Sequence, residues 1–216
     1  MLSIAFDCDG TLVDSEPLHN RADVTLLARY GIAVDPLEHR RRSTGIGRAA
    51  MLRIIEKERG VTLPADIQEQ IESELQRLVT AELQPIASVV HVLEALAKRE
   101  AHLAVASNSH KAYIDQALRT CGIRHYFGDR IASADRVSAL KPAPDLYLLA
   151  AEMLETPAHQ CIAFEDSVTG VRSAHTAGMR TIAYCPPGHV FTSDQLKAAG
   201  AQDVISDMAD VLTLVL

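Results

Sequence analysis

The fold of this chain is decided by residues 3–16, which read SIAFDCDGTLVDSE. The first four residues form a short apolar run typical of a buried strand, and an acidic segment follows it directly. An extended backbone repeats every two residues, so the carboxylates of Asp7 and Asp9 would lie on one side of the chain. Gly10 permits a sharp turn just beyond them. The stretch therefore predicts a strand that brings two carboxylates to its end.

Similar apolar runs recur along the chain, and each is followed by a polar cluster and then by a helical pattern. The predicted strands are residues 3–6, 102–107, 130–133, 161–165 and 180–184. This alternation is typical of the α/β class, and we predict a Rossmann-like doubly wound parallel sheet with helices on both faces. Ligands bind such sheets at the carboxyl ends of the strands, so we expect the polar chemistry at that edge.

Residues 17–83 interrupt the alternation, because they contain no convincing strand and read as four helical stretches. The breaks between them are Gly31, residues 45–47 and residues 60–64. We therefore predict an inserted all-helical cap domain, placed as a lid over the strand ends. The predicted domains are residues 1–16 with 84–216 for the α/β core and residues 17–83 for the cap.

Composition excludes several classes of protein. With 48% hydrophobic and 23% charged residues in 216, the chain is not disordered. Its net charge is −7 and its longest basic run is residues 40–42, so we expect no nucleic-acid partner. The apolar runs are far shorter than the roughly 20 residues of a spanning helix, so we expect no membrane association. The start of the sequence has no basic leader, and the four cysteines are widely spaced, which favours reduced thiols and a cytoplasmic location.

Three further polar clusters follow predicted strands or stiff loops. Glu165 and Asp166 offer the oxygen ligands that magnesium prefers, although the same segment could simply cap the next helix. Ser107 and Asn108 would direct a hydroxyl and backbone N–H groups toward an anion, although Ser107 could be an ordinary helix cap. Lys141 precedes two prolines and could offset the repulsion between a carboxylate and a phosphate, although most lysines are solvated surface charges.

Taken in order, these segments resemble the four motifs of the haloacid dehalogenase-like hydrolase superfamily. The motifs are D-C-D-G-T at residues 7–11, the strand-ending Ser107, Lys141 and the acidic pair at residues 165–166. The resemblance covers nearly the whole chain. It implies phosphoryl transfer to Asp7, and a carboxylate beside a magnesium ion can attack a phosphoryl group to form an aspartyl-phosphate. We therefore expect Mg²⁺ as the cofactor.

The resemblance also implies a role for each residue of these motifs. Asp9 would protonate the leaving oxygen and then activate water, and its presence favours phosphate esters over haloacids or phosphonates. The metal ligands implied are Asp7, Asp166 and the backbone carbonyl of Asp9, with Glu165 acting through water or as a partner of a ligand. The catalytic and phosphate-binding residues implied are Asp7, Asp9, Ser107, Asn108 and Lys141.

Within the helical insert, the sequence resembles the subgroup that includes β-phosphoglucomutase and many sugar-phosphate phosphatases. That resemblance makes His19, Gly45 and Arg48 candidate substrate-binding residues. The alternative is that His19 only packs or caps a helix and that Arg48 is a surface residue.

The predicted function is Mg²⁺-dependent hydrolysis of a small phosphorylated metabolite, with a sugar phosphate as the predicted substrate. The alternative is a sugar-phosphate mutase of the β-phosphoglucomutase type, against which stands the absence of lysine from residues 61–97. A binding module that has lost catalysis is a third reading, which the complete set of motif residues disfavours. We expect a monomer or a small homo-oligomer.

Overall fold

A computed structural model describes residues 2–43 and 46–215. The chain divides into two compact units. The sheet unit contains the chain up to Asp14 and from Gln84 onward, and the helical unit is Ser15–Leu83.

The sheet unit is built on six parallel strands. They are β1 Ser3–Phe6, β2 His102–Ala106, β3 Ile131–Ala132, β4 Ile162–Glu165, β5 Arg180–Tyr184 and β6 Asp203–Ile205, in the order β3-β2-β1-β4-β5-β6. The register aligns Ile4 of β1 with Leu103 of β2 and with Ile162 of β4. The order reverses between β1 and β4, which is where ligands bind in sheets of this type. The predicted fold class is confirmed.

Ten α-helices accompany the strands in the described part of the chain. Those of the helical unit are α1 Glu16–Arg29, α2 Pro36–Ser43, α3 Arg48–Arg59 and α4 Ile67–Glu82. Those of the sheet unit are α5 Val89–Lys98, α6 Lys111–Thr120, α7 Asp145–Met153, α8 Val168–Thr176, α9 Ser193–Ala199 and α10 Asp210–Val215. No helix among the residues described here is both long enough and apolar enough to cross a membrane.

The two faces of the sheet are packed differently because side chains alternate along each strand. Ala5 and Ala163 lie in one core cluster with Leu146 and Tyr147 of α7. Phe6 stacks on Phe164, with ring centroids 5.1 Å apart. Small strand residues thus leave room for the large Tyr147 of α7, while the strand aromatics pack with each other.

The helical unit is held together by the apolar faces of its helices. The buried residues of α4 are Ile67, Ile71, Leu75, Leu78 and Val79, which recur at the spacing of a helix face. They pack principally with α1, whose buried residues include Leu26 and Leu27. Four helices lie where the sequence predicted four.

The sequence did not predict β6. This strand has three residues, begins with Asp203 and pairs only with β5, so its pattern is too short and too polar to signal a strand. The other five strands differ from their predicted bounds by at most one residue at either end.

Candidate active site

The ammonium group of Lys141 lies between two carboxylates at the carboxyl edge of the sheet. Its Nζ donates to Oδ1 of Asp7, which follows β1, and to Oε1 of Glu165, the last residue of β4; each contact is 2.5 Å. The Lys141 side chain is only 3% exposed and that of Glu165 only 1%. Three of the predicted site residues are therefore brought together in a buried group of charges.

Glu165 accepts hydrogen bonds on both of its carboxylate oxygens. Besides Lys141, the hydroxyl of Tyr147 donates to Oε1 at 3.2 Å. Oε2 accepts from the backbone N–H groups of Asp166 and Ser167 and from the Ser167 hydroxyl, each at 3.0 Å. Both oxygens of Glu165 are thus engaged in holding the loop after β4. Ser167 also caps α8, because its hydroxyl accepts from the N–H of Gly170.

Two glycines make space for the acidic pair. A Cβ at Gly170 in α8 would lie 1.7 Å from Oε1 of Glu165, and a Cβ at Gly10 would lie 2.2 Å from Oδ2 of Asp166. Gly10 also has a backbone φ of +82°, which residues with a side chain rarely adopt. The positions of both carboxylates therefore depend on residues that have no side chain.

Burial and charge shift the pKa values of this group. Burial raises the pKa of the Asp7 carboxyl well above its usual range; Lys141 acts in the opposite direction, and Glu165 adds to the rise. Burial by itself would lower the pKa of Lys141, but the two carboxylates on either side raise it above its usual value. The two carboxylates therefore favour the charged form of Lys141, and the excess of carboxyl groups around it favours additional positive charge.

The residues present fit a divalent cation. Asp7, Glu165 and Asp166 each offer a carboxylate oxygen within 4.8 Å of the others. Magnesium and calcium prefer such oxygen ligands. Since the oxygens of Glu165 already accept from protein donors, Asp7 and Asp166 have more capacity left for direct coordination.

The side chain of Asp9 is held by residues of the loop after β2 and of α6. The hydroxyl of Tyr113 donates to Oδ1 at 2.9 Å, and that of Ser109 donates to Oδ2 at 3.2 Å. Asp9 adds a further negative charge near Asp7, whose pKa it raises. The two aspartates of the first motif thus have different surroundings, one beside a lysine and one beside two hydroxyls.

The loop after β2 is tied to the Lys141 loop. Oδ1 of Asn108 accepts from the backbone N–H of Lys141 at 2.9 Å, and the buried Ser107 hydroxyl accepts from the N–H of Ser109 at 3.1 Å. The sequence predicted both residues as an anion cradle. The structure places them beside the lysine loop at the carboxyl end of β2, with the Asn108 side chain holding that loop.

The candidate substrate residues of the helical unit that the structure describes contact each other. Arg48, the first residue of α3, directs Nη2 to Nδ1 of His19 at 3.3 Å. Its Nε donates to Oδ1 of Asp23 at 2.9 Å, so it is not an unpaired surface charge. Gly45, the third candidate, lies outside the described residues.

Four residues near the site were missed from the sequence. Ser109 and Tyr113 contact Asp9, Tyr147 contacts Glu165, and Nε2 of His189 lies 3.4 Å from Oδ2 of Asp166. The spacing of four between Ser109 and Tyr113, at the start of a helix, is a signal that could have found that pair. His189 lies in a loop after β5, where no pattern in the sequence marks it.

Comparison with known proteins places the chain in a family. The sequence profile of the haloacid dehalogenase-like hydrolases matches residues 1–178. The chain belongs to this family. The family resemblance stated from the four motifs is therefore confirmed.

Several relatives within the family carry names that refer to phosphorylated sugars. The chain is 34% identical to 6-phosphogluconate phosphatase of Escherichia coli K12, over 87% of this chain and 84% of that protein. It is 30% identical to a fructose-1-phosphate phosphatase of the same organism, over 83% and 94%. The solved structure of a putative β-phosphoglucomutase from Thermotoga maritima superposes with a TM-score of 0.87 at 27% identity, covering 100% of both chains.

The close approach of Gly170 to Glu165 gives a test of the site. Replacing a helix glycine with alanine usually gains up to about 1 kcal/mol. For Gly170→Ala we expect instead a loss of about 1–3 kcal/mol in the free energy of unfolding, because the new methyl group displaces the buried carboxylate. Urea unfolding measures the difference. The control is Thr169→Ala, an exposed position in the same helix, which should change the free energy of unfolding little.

Proposed function

We propose that this protein is a Mg²⁺-dependent phosphatase that hydrolyses a small phosphorylated sugar through an aspartyl-phosphate on Asp7. The observation that carries the proposal is the contact of Asp7 with buried Lys141 beside the Asp166 carboxylate at the carboxyl edge of the sheet. Family membership and the names of the similar phosphatases support the reaction class.

In the first step, a carboxylate oxygen of Asp7 attacks phosphorus and the bond from phosphorus to the leaving oxygen breaks. Asp9 gives its proton to that oxygen, so the sugar leaves as a neutral alcohol. Lys141 offsets the repulsion between the carboxylate and the phosphate, and its contact with Asp7 holds the nucleophile in place.

In the second step, Asp9 takes a proton from water, which attacks phosphorus and restores the Asp7 carboxylate. Inorganic phosphate is released. Asp7 and Asp166, with the backbone carbonyl of Asp9, would hold the Mg²⁺, which when bound supplies positive charge to the phosphoryl oxygens. Glu165 would act indirectly, because its oxygens already accept from Lys141, Tyr147 and the loop after β4. Ser107 and Asn108 would bind the phosphate together with Lys141.

A mutase of the β-phosphoglucomutase type is the second candidate, favoured by the TM-score of 0.87 to the Thermotoga structure. A mutase returns the phosphoryl group to the sugar, so it produces no net phosphate. The absence of lysine from residues 61–97 supports hydrolysis instead. A panel of sugar phosphates with Mg²⁺, assayed for released phosphate and for a moved phosphoryl group, separates the two activities.

We also propose a cytoplasmic location. All four cysteines are unpaired thiols, and burial raises the pKa of the Cys8 thiol well above its usual range. Unpaired thiols of this kind suit a reducing compartment.

Asp7→Asn should abolish phosphate release, because an amide cannot supply the attacking oxygen and is a poor metal ligand. The measurement is the steady-state rate on the best substrate of the panel, with thermal unfolding to show that the variant is folded. A folded variant that keeps more than about 1% of the rate would remove Asp7 from the role of nucleophile.

Asp9→Asn should lose activity but keep most of its affinity for Mg²⁺, since the expected ligand is the backbone carbonyl. Calorimetric titration with Mg²⁺ tests this, with Asp166→Ala as the reference variant that loses a carboxylate ligand. Equal losses of Mg²⁺ affinity in the two variants would contradict the division of roles.

Arg48→Ala should reduce kcat/KM for the preferred sugar phosphate by about tenfold or more, the scale of one charge-assisted hydrogen bond. We propose that Arg48 and His19 contact the part of the substrate that does not react, so a small aryl phosphate should be affected little. Arg77→Ala is the matched control, because Arg77 is an exposed arginine of the same unit. Equal losses on both substrates would point to folding or to the catalytic residues instead.

A further inference from the structure

The carboxylate of Asp9 is held by two hydroxyl donors from outside the first motif. Tyr113 donates to one oxygen at 2.9 Å and Ser109 to the other at 3.2 Å. An aspartate side chain has two rotatable bonds, and a contact on each oxygen restricts both. The direction in which Asp9 points is therefore set by residues about a hundred positions away in the sequence.

The backbone on each side of these contacts is fixed. Around Asp9, the N–H of Gly10 donates to the carbonyl of Val13, and the N–H of Leu12 donates to the carbonyl of Cys8. Ser109 accepts from the N–H of Ala134 on its own carbonyl at 3.0 Å. Because this turn fixes the backbone, rotation about the side-chain bonds is the main conformational freedom left to Asp9.

Tyr113 donates to Asp9 from a helix, whereas Ser109 donates from a loop. Tyr113 lies in the first turn of α6, next to Ile114, which is fully buried and fixes the helix to the sheet unit. Its ring has only two rotatable bonds, so holding its hydroxyl in place costs little entropy. Ser109 lies in the loop before α6 and carries a shorter side chain.

We propose that Tyr113, assisted by Ser109, is a positioning residue that directs the Asp9 carboxyl toward the leaving oxygen. The inference rests on the proposed role of Asp9 as the proton donor. Proton transfer requires the donor to lie within hydrogen-bond reach of the leaving oxygen, so a carboxyl that rotates freely is in place for only part of the time. Tyr113 itself exchanges no proton with the substrate.

The consequence is a dependence on the leaving group. When the leaving phenol is acidic, the leaving oxygen needs little protonation as its bond to phosphorus breaks. When the phenol is weakly acidic, that oxygen depends strongly on a proton donor. Loss of the Tyr113 hydroxyl should therefore slow poor leaving groups more than good ones. Substituted phenyl phosphates isolate this effect, because they have nearly the same size and differ mainly in the acidity of the phenol.

The experiment measures kcat/KM with Mg²⁺ for a series from 2,4-dinitrophenyl phosphate to phenyl phosphate, in wild type, Tyr113→Phe and Ser109→Ala. For Tyr113→Phe we expect a loss of about tenfold on phenyl phosphate, on the scale of one hydrogen bond to a charged group, and less than about twofold on the dinitrophenyl ester. Ser109→Ala should act in the same direction. Tyr126→Phe is the control, since it removes a hydroxyl from a tyrosine of the 3₁₀ turn Arg124–Tyr126, which follows α6 and lies outside the segment that carries Ser109 and Tyr113.

The Asp9→Asn variant shows how steeply kcat/KM depends on the acidity of the leaving phenol when the proposed proton donor is lost. It also separates this inference from the proposed function. If Asp9→Asn steepens the dependence and Tyr113→Phe follows the wild-type line, the positioning role is overturned while the phosphatase proposal stands. A Tyr113→Phe variant that is faster than wild type would also overturn it, because Tyr113 would then be holding Asp9 away from the substrate. If Asp9→Asn leaves this dependence unchanged, Asp9 is not the proton donor. The proposed role of Asp9 and the positioning role of Tyr113 are then both overturned.

Affinity for Mg²⁺, measured by calorimetry, supplies a readout that does not depend on turnover. Tyr113→Phe should leave it within about twofold of wild type, because the Tyr113 hydroxyl donates to the side chain of Asp9, whereas the expected metal ligand is the Asp9 backbone carbonyl. A large loss of Mg²⁺ affinity would show a general collapse of the site, and would overturn the specific role given to Tyr113.

Discussion

The carboxyl edge of the sheet depends on the buried ammonium group of Lys141. Asp7 and Glu165 lie at the carboxyl ends of the neighbouring strands β1 and β4, and both carboxyl groups are buried in a region that excludes most water. Removing one member of such a group leaves the others uncompensated, which is strongly destabilising. The lysine therefore allows two acidic strand ends to meet, and the arrangement of the remaining site residues follows from that meeting.

Small residues allow the charges to be buried at all. The alanines on one face of the sheet admit α7, which carries Tyr147 close enough to donate to Glu165 and to place its ring 5.0 Å from the Lys141 ammonium. Gly170 and Gly10 provide the space into which Glu165 and Asp166 extend. Packing on the apolar face and charge at the edge are thus parts of one arrangement, because the same helix serves both.

The sequence predicted the class of the fold and the residues that meet at its edge, because both leave periodic or short-range signals. Alternating strands and helices fix a parallel sheet, and parallel strands deliver their ends to one side. The contacts that the sequence did not predict join residues that are distant along the chain. Nothing in the sequence around His189 marks its approach to Asp166, and nothing around Tyr147 indicates that it lies against Glu165. The short β6 was missed because its three residues owe their strand conformation to pairing with β5.

The position of β1 in the sheet has a consequence during synthesis. This strand is central, yet its neighbours β2 and β4 come far later, and more than 150 residues separate Phe6 from its partner Phe164. At about 5–20 residues per second, a ribosome takes roughly 8–30 s to make that interval. The apolar strand that leads to Asp7 is made before the other five strands of the sheet, and it stays without a complete set of neighbours until β4 has emerged.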